Sequence, residues 1–185
     1  MNTNTEMVLG LVVVIVLVVA LALFMRNRKT TKLRHKFGPE YERAVEDTGG
    51  QGKAEAQLNE REKRVAAFPI RALVAGDRER FGVSWRRVQE EFVDNPERAV
   101  AHADELLGDV MSARGYPVSD FEQRSADLSV DHPVVVQNYR AAHEIALRRG
   151  RGEASTEDLR QAMIHFRMLF DELVTETAPP LAKAS

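Results

Sequence analysis

Two histidines and a tyrosine are the side chains of this sequence best suited to chemistry. At about 100° per residue, His132, Tyr139 and His143 fall along one face of a single predicted helix. Imidazole is a common metal ligand and a common general base, so a metal site is one interpretation of this face. The spacing does not select a third ligand among the nearby acidic residues, which are Asp127, Asp131 and Glu144.

Two other interpretations of this region stay open. In one, the polar side chains are partly buried and hydrogen-bond between helices, with His132 near a helix N-terminus and Tyr139 packed by its ring. In the other, they form a surface for a protein partner or a small ligand. The residues of that candidate surface are Asp127, Asp131, His132, Tyr139, Arg140 and His143.

Other catalytic patterns are missing from the sequence. The chain has no cysteine, which excludes a disulfide framework, a thiolate metal site and a cysteine nucleophile. The segment from Gly49 to Lys53 lacks the preceding strand and the following Ser or Thr of a phosphate-binding loop. The acid pair Glu157/Asp158 occurs where a helix begins, so it is interpreted as first-turn charge rather than as a general acid and base. We therefore expect no cofactor, no metal and no catalytic residue.

The elements that position these residues follow an apolar segment near the N-terminus. Residues 7–25 are 19 consecutive residues without a charged or hydrogen-bonding side chain. At ~1.5 Å per residue, a helix of that length reaches roughly 28 Å, close to the ~30 Å apolar thickness of a bilayer. A cleaved secretory signal competes with this interpretation, but residues 1–6 carry no basic side chain and the apolar segment is too long for a signal core. The pattern predicts a retained transmembrane helix.

A cluster of basic residues follows the apolar segment within residues 26–36. Its members are Arg26, Arg28, Lys29, Lys32, Arg34 and Lys36. Basic residues beside a span stay on the cytoplasmic side, so we expect residues 1–6 outside and residues 26–185 in the cytoplasm. The cluster either marks this orientation alone or also contacts anionic lipid headgroups.

The rest of the chain is acidic. Of 26 basic and 28 acidic residues, six bases and one acid precede residue 37, which leaves 20 bases and 27 acids, a net charge of -7, in residues 37–185. A nucleic-acid-binding domain needs a basic face, so this balance argues against nucleic acid as a partner.

The remaining segments predict helices and no strand. Residues 37–74 contain a short helix to about Thr48, a Gly-rich hinge at residues 49–52 and a charged spacer helix, which is solvated or packs by an edge at Leu58 and Val65. Apolar residues at helical spacing over residues 75–174 predict a bundle or array of about five helices, and residues 175–185 should form a flexible tail. The predicted fold is all-α, with one N-terminal transmembrane helix, a charged spacer helix and this helical domain.

Capping signals predict where helices of this domain begin. These signals are Asn95-Pro96, a capping box from Ser119 to Glu122, Asp131-His132-Pro133 and Ser155 to Asp158. Regular apolar stripes follow them, and Trp85, on one such stripe, is interpreted as a core residue.

Several short motifs occur in an order that resembles a known family. They are FGPEY at residues 37–41, RGYP at 114–117, DFEQR at 120–124, DLSVDHP at 127–133, YRAAH at 139–143 and RGEASTEDLR at 151–160. Together with the apolar segment and its basic flank, they resemble a family of uncharacterised bacterial single-pass membrane proteins, usually called hypothetical or secreted. The resemblance covers nearly the whole chain and implies the bacterial plasma membrane. It implies no activity, cofactor or catalytic residue, and the label "secreted" conflicts with the orientation expected from the charges.

Two functional hypotheses from different classes follow. The first is a membrane-anchored cytoplasmic helical domain that acts as a non-enzymatic interaction or scaffold module, with membrane lipid and an unidentified protein as partners. The second is a metal- or small-ligand-binding helical domain, enzymatic or not, that uses His132, Tyr139 and His143. Sequence alone does not separate an interaction module from a purely mechanical spacer.

Overall fold

The structure is a computed structural model, and it describes residues 3–117 and 119–176, except for the side chains of residues 3–11 and 13. Within these residues there are eight helices and no strand, which confirms the all-α prediction. The helices are α1 (Thr3–Phe37), α2 (Pro39–Thr48), α3 (Gln51–Ala66), α4 (Ala75–Asp94), α5 (Pro96–Ala113), α6 (Phe121–Asp131), α7 (Val135–Gly150) and α8 (Thr156–Thr175). Residues 177–185, most of the predicted flexible tail, lie outside the described residues.

The chain divides into two units between Leu58 and Asn59, inside α3. This boundary lies earlier than residue 75, where the helical domain was expected to begin. The reason is that the second half of α3 bonds to α6 of the second unit. Arg61 Nη1 donates to Ser129 Oγ at 3.3 Å, and Arg64 Nε donates to Asp127 Oδ1 at 2.9 Å.

In the first unit, a buried glutamate joins three helices. Thr30 of α1, Tyr41 of α2 and Gln51 of α3 all donate to Glu55 Oε1, at 2.7, 3.0 and 2.9 Å. Burial alone would raise the pKa of the Glu55 carboxyl, but these hydrogen bonds outweigh it and the pKa is lowered. The ionised carboxylate therefore holds the start of α3 in a packed position. Leu58 and Val65 are also buried, so α3 packs by the edge that the sequence offered as the alternative to a solvated helix.

The turns of the first unit are shorter than the glycine content indicates. Gly38 has a φ of 49° and separates α1 from α2, which begins at Pro39. Gly49, with a φ of 69°, caps the end of α2, and α3 already begins at Gln51. The predicted hinge at residues 49–52 is therefore confined to its first two residues, and the other two are helical.

The second unit buries the apolar stripes of α4, α5 and α8 in one core. Phe81, Trp85 and Val88 of α4 are buried, and the Trp85 ring stacks on Phe170 of α8 with a centroid distance of 4.7 Å. The stripe of α5 is fully represented in this core, as Ala99, Val100, Ala103, Leu106, Leu107, Val110 and Met111. The five helices α4 to α8 match the number predicted for the helical domain.

Two of the predicted helix starts are confirmed in detail. The Asn95 side chain accepts a hydrogen bond from the backbone N–H of Arg98 at 3.0 Å and caps α5. Ser155 and Asp158 form a reciprocal capping box at the start of α8. In both cases the cap satisfies amide groups that the first helical turn leaves without a partner.

Two other helix starts differ in detail from the prediction. The cap of α6 is Asp120, whose side chain accepts from the Gln123 N–H at 2.8 Å, and not Ser119. The segment from Asp131 to Pro133 both ends α6 and leads into α7. The His132 N–H bonds back to the Leu128 carbonyl at 2.8 Å, and the His132 carbonyl accepts from the Val136 N–H at 3.0 Å in the first turn of α7. His132 therefore lies at the junction of the two helices, whereas Tyr139 and His143 lie within α7.

Candidate functional site

The predicted surface between residues 120 and 143 is largely buried. Asp127, His132 and Tyr139 are at most 3% exposed, whereas Arg140 and His143 are half-buried and Asp131 is exposed. Four of the six residues divide among three local networks, and Arg140 Nη1 lies 3.6 Å from Glu122 Oε2. Each network is described below from its hydrogen bonds and charges.

Asp127 connects α3 and α6. Its Oδ1 accepts from Arg64 Nε and from Gln123 Nε2, both at 2.9 Å. An ionised carboxylate that accepts several hydrogen bonds from a guanidinium and an amide is satisfied within the protein. These contacts account for the burial of Asp127 by packing of the second unit.

His132 lies in a charged cluster at the C-terminal end of α8. Its Nδ1 is 3.4 Å from Glu172 Oε1, and its Nε2 is 3.2 Å from Glu176 Oε2. The fully buried Arg114 reaches the same carboxylate with Nη2 at 2.5 Å, and its Nη1 donates to the Leu173 carbonyl at 3.0 Å. Arg114 thus neutralises Glu176 and binds a carbonyl that the helix end leaves without an internal partner. We name Arg114, His132, Glu172 and Glu176 the α8-end cluster.

Tyr139 and His143 belong to a different network, on α6 and α7. The Phe121 ring stacks on the His143 imidazole with a centroid distance of 3.5 Å and an angle of 8°, and it also packs against Tyr139 at 4.9 Å. Burial lowers the pKa of His143 and so favours its neutral form. His143 contacts Phe121, whereas His132 faces the carboxylates of α8, so the two histidines have separate surroundings.

The buried tyrosines of the second unit are poor acid–base groups. Burial, followed by the charge of Asp131, raises the pKa of Tyr116 well above 10. Burial, followed by the charge of Asp104, does the same for Tyr139. Both phenols therefore stay protonated near neutral pH, and neither is prepared to act as a general base.

A metal site has no geometric basis in the described part of the chain. Among residues 3–117 and 119–176, with the side chains noted above excepted, no three His, Asp or Glu side chains are arranged to hold a metal ion. His132 and His143 do not share such a site, because His132 faces Glu172 and Glu176 whereas His143 stacks on Phe121.

A groove that the sequence did not predict lies between α4 and α8. It encloses about 310 Å³ and is lined by apolar side chains of both helices. These are Trp85, Phe92, Met163, Ile164 and Met168. Ile164 and Met168 lie beside the buried stripe of α8 and are 41% and 50% exposed. The only sequence signal was this pair of apolar residues one helical turn apart and adjacent to the core positions.

Two arginines are also part of the groove lining. Arg160 Nη2 pairs with Glu157 at 2.6 Å, and Arg167 Nε pairs with Asp171 at 2.6 Å. Both arginine side chains are about half exposed, at 52% and 47%. The groove therefore combines an apolar floor with two accessible guanidinium groups.

The N-terminal part of α1 is apolar and uncovered. From Val12 to Met25, the large apolar side chains that the structure describes are all 50–64% exposed. Among the residues that the structure describes, none of the helices is both long enough and apolar enough to span a membrane. The predicted span at residues 7–25 includes residues 7–11 and 13, whose side chains lie outside the described part.

The basic cluster continues the same helix. Five of its six members are exposed, and Lys36 is half-buried. Thr30, Leu33 and Phe37 of the same stretch of α1 are buried. The Arg28 guanidinium lies 4.5 Å from the centre of the Phe24 ring, a cation–π distance at the junction of the apolar and basic segments.

Comparisons with known proteins add no relative. No protein-family model matches the chain. No curated protein and no solved structure matches it either. The resemblance to bacterial single-pass membrane proteins therefore stays a prediction from the motifs.

Proposed function

We propose that this chain is a membrane-anchored helical module that binds another protein and carries no catalytic activity of its own. The apolar segment at residues 7–25 is the anchor, and the second unit, from residue 59, is the interaction module. The anchor and the module are argued separately, because they rest on different observations.

The exposed apolar side chains of α1 are the observation that carries this proposal. A helix that is apolar around its circumference and covered by no other part of the described chain exposes surface that is unfavourable in water by about 25 cal/mol per Å². A lipid bilayer removes that surface from water, and a helix satisfies its backbone hydrogen bonds within lipid. We take the bilayer as the partner of this segment.

The basic cluster supports a cytoplasmic position for the two units. Exposed Arg28, Lys29 and Lys32 follow directly after the apolar segment, and basic flanks stay on the cytoplasmic side of a membrane. In that position they also contact anionic lipid headgroups, at about 1 kcal/mol for each residue near the surface. The bacterial plasma membrane is the location that this arrangement favours.

We propose the second unit as the interaction module because its buried charged groups bond to each other inside the fold, while one apolar groove stays open at its surface. The α8-end cluster and the Asp127 network hold helices together, whereas the α4–α8 groove leaves apolar surface open to a partner. The alternative is a ligand site built from His132, Tyr139 and His143. Tyr139 and His143 both pack on Phe121, but His132 faces the carboxylates of Glu172 and Glu176 and would have to turn toward them.

Charged substitutions in the apolar segment test the anchor. In the variant Leu17→Arg/Leu21→Arg, each arginine should cost about 2.5–3.5 kcal/mol inside lipid. We expect the unchanged chain to stay in the membrane fraction after alkaline carbonate extraction, and this variant to be released.

The matched control is Val134→Arg/Leu147→Arg, which places the same charges on exposed apolar positions of the second unit. This control should remain in the membrane fraction. Release of the unchanged chain by carbonate would show that the apolar segment is not held by lipid and would refute the proposed anchor.

A further inference from the structure

We propose that the α4–α8 groove is the docking site for an acidic amphipathic helix of a partner protein. This inference rests on the proposed interaction function and names the chemistry of the partner. It is argued from the shape of the groove, from the kinds of side chain that line it and from the charges at its edge.

The shape of the groove fits a helix. Trp85 and Phe92 are seven residues apart on α4, a length of about 10 Å or two helical turns. Ile164 and Met168 are one turn apart on α8 and remain largely exposed. A groove between two helices accepts the apolar ridge of a third, in which residues at i, i+4 and i+7 insert as anchors.

The groove combines a rigid floor with adaptable walls. The Trp85 ring is fixed by its stacking on Phe170, with a centroid distance of 4.7 Å. Met168 is 50% exposed and has a flexible thioether side chain of the kind that adjusts to different apolar partners. Such a floor loses little conformational entropy on binding, since it is already in place before the partner arrives.

The charges of the groove select an acidic partner. Among the described lining residues, Arg160 and Arg167 are the charged ones, and both are about half exposed, at 52% and 47%. Each guanidinium already pairs with one carboxylate and keeps exposed surface for another. Complementary carboxylates on the flank of a docked helix would bind there and fix its register.

Net charge disfavours a second copy of this chain as the occupant. Residues 37–185 carry a net charge of -7, so two such regions repel each other at close range. A short acidic helix is repelled less, because it carries fewer charges and places them beside Arg160 and Arg167.

Trp85 gives a direct readout, because it is the single tryptophan of the chain and lines the groove. The probe is a synthetic helical peptide with leucine at i and i+7, 4-bromophenylalanine at i+4 and glutamate on the flanks. The bromine quenches tryptophan fluorescence only at short range. The full chain is reconstituted in phosphatidylcholine vesicles, and a second peptide carries lysine in place of each glutamate.

We expect the acidic peptide to quench Trp85 in a saturable way, and the lysine peptide to bind about tenfold more weakly through loss of two edge ion pairs. Ile164→Asp should abolish quenching by placing a charge on the groove floor. Leu147→Asp, at a position of similar exposure on α7, should leave quenching unchanged. Arg160→Glu/Arg167→Glu, which changes two half-exposed residues, should reverse the preference toward the lysine peptide. Because the Arg167 guanidinium lies 6.0 Å from the centre of the Trp85 ring, quenching is expressed relative to the unquenched fluorescence of the same variant.

Four outcomes would overturn the proposal. The first two are equal quenching by both peptides and quenching that persists in Ile164→Asp. The third is quenching by a brominated fatty acid but not by the acidic peptide. The fourth is concentration-dependent pairing of the chain through this face without peptide binding. The carbonate extraction described above distinguishes the two proposals, since loss of peptide binding with membrane retention refutes the groove assignment alone.

Discussion

Arg114 is a buried charged residue whose partners lie far away in the sequence. Its side chain is fully buried, and a buried guanidinium loses most of its hydration. It is tolerated because Nη1 donates to the Leu173 carbonyl and Nη2 faces Glu176. Both partners lie at the end of α8, so Arg114, which follows α5, connects the ends of two helices that are distant in sequence.

Replacing Arg114 should destabilise the second unit strongly. In Arg114→Met, Glu176 and the Leu173 carbonyl lose their buried partner, and we expect the free energy of unfolding to fall by about 3 kcal/mol. Arg151→Met, which breaks an exposed pair with Glu153, should cost about 0.5 kcal/mol or less. Urea unfolding measures both values. A loss below about 1 kcal/mol for Arg114→Met would contradict the role given to the α8-end cluster.

His143 should titrate below the usual histidine value. Burial lowers its pKa from 6.5, so the folded chain favours the neutral ring stacked on Phe121. This preference for the neutral ring contributes to the stability of the folded chain above pH 6.5. The contribution is lost as the pH falls through the lower pKa that His143 has in the folded state. An NMR titration of the His143 ring measures this directly. A pKa above 6.5 would contradict the burial described for this ring.

At the scale of elements, the turn after α5 depends on a glycine. Gly115 has a φ of 96°, and a Cβ at this position would lie 2.4 Å from the Pro69 carbonyl oxygen. The neighbouring Arg114 carbonyl accepts from the Arg71 N–H at 2.9 Å, which fixes the connector before α4 against this turn. Gly115 is therefore required both for its backbone conformation and for this close approach.

Gly152 allows the two effects at Gly115 to be separated. It has a φ of 72° with no atom within 4 Å of a built Cβ. Gly152→Ala should therefore cost only the conformational strain of about 1–2 kcal/mol. Gly115→Ala should cost at least about 1 kcal/mol more, since Pro69 must move. Thermal unfolding of the two variants measures both losses of stability. Equal losses would show that the close approach of Gly115 to Pro69 does not contribute to the free energy of unfolding.

Local signals explain which elements could be predicted from the sequence. The caps at Asn95 and Ser155 and the apolar stripe of α5 depend on residues within one or two turns, so the pattern is sufficient. The segment from Asp131 to Pro133 is ambiguous, because the residue before a proline is also a common place for a helix to end, and here α6 ends at Asp131 just before α7 begins at Val135. The sequence therefore did not show that His132 lies at this junction and faces α8 rather than His143.

Contacts between distant segments could not be predicted in the same way. The burial of Arg114 depends on Leu173 and Glu176, about sixty residues away, and no local spacing indicates it. The α4–α8 groove depends on how two helices pack, since Ile164 and Met168 differ from core residues only by a small rotation around α8. The candidate partner surface of Asp127, Asp131, His132, Tyr139, Arg140 and His143 stays a prediction, with three of its members buried.

At the scale of the whole molecule, charge and apolar surface are distributed unevenly along the chain. The uncovered apolar residues are concentrated in α1, exposed basic residues follow them, and the region after residue 37 is acidic. This order is the one expected when a bilayer holds the first segment and the basic flank determines the side of the membrane. In that arrangement the α4–α8 groove would face partners in the cytoplasm.

Cysteine labelling tests this arrangement most directly, because the chain has no cysteine of its own. Val134→Cys places a thiol at a position that is 68% exposed in the second unit, and Asn4→Cys places one before the apolar segment. Both variants are treated with a membrane-impermeant maleimide in spheroplasts and again after permeabilisation. We predict that Asn4→Cys is labelled at once and Val134→Cys only after permeabilisation. Labelling of Val134→Cys in intact spheroplasts would contradict the proposed cytoplasmic, membrane-anchored position of the helical module.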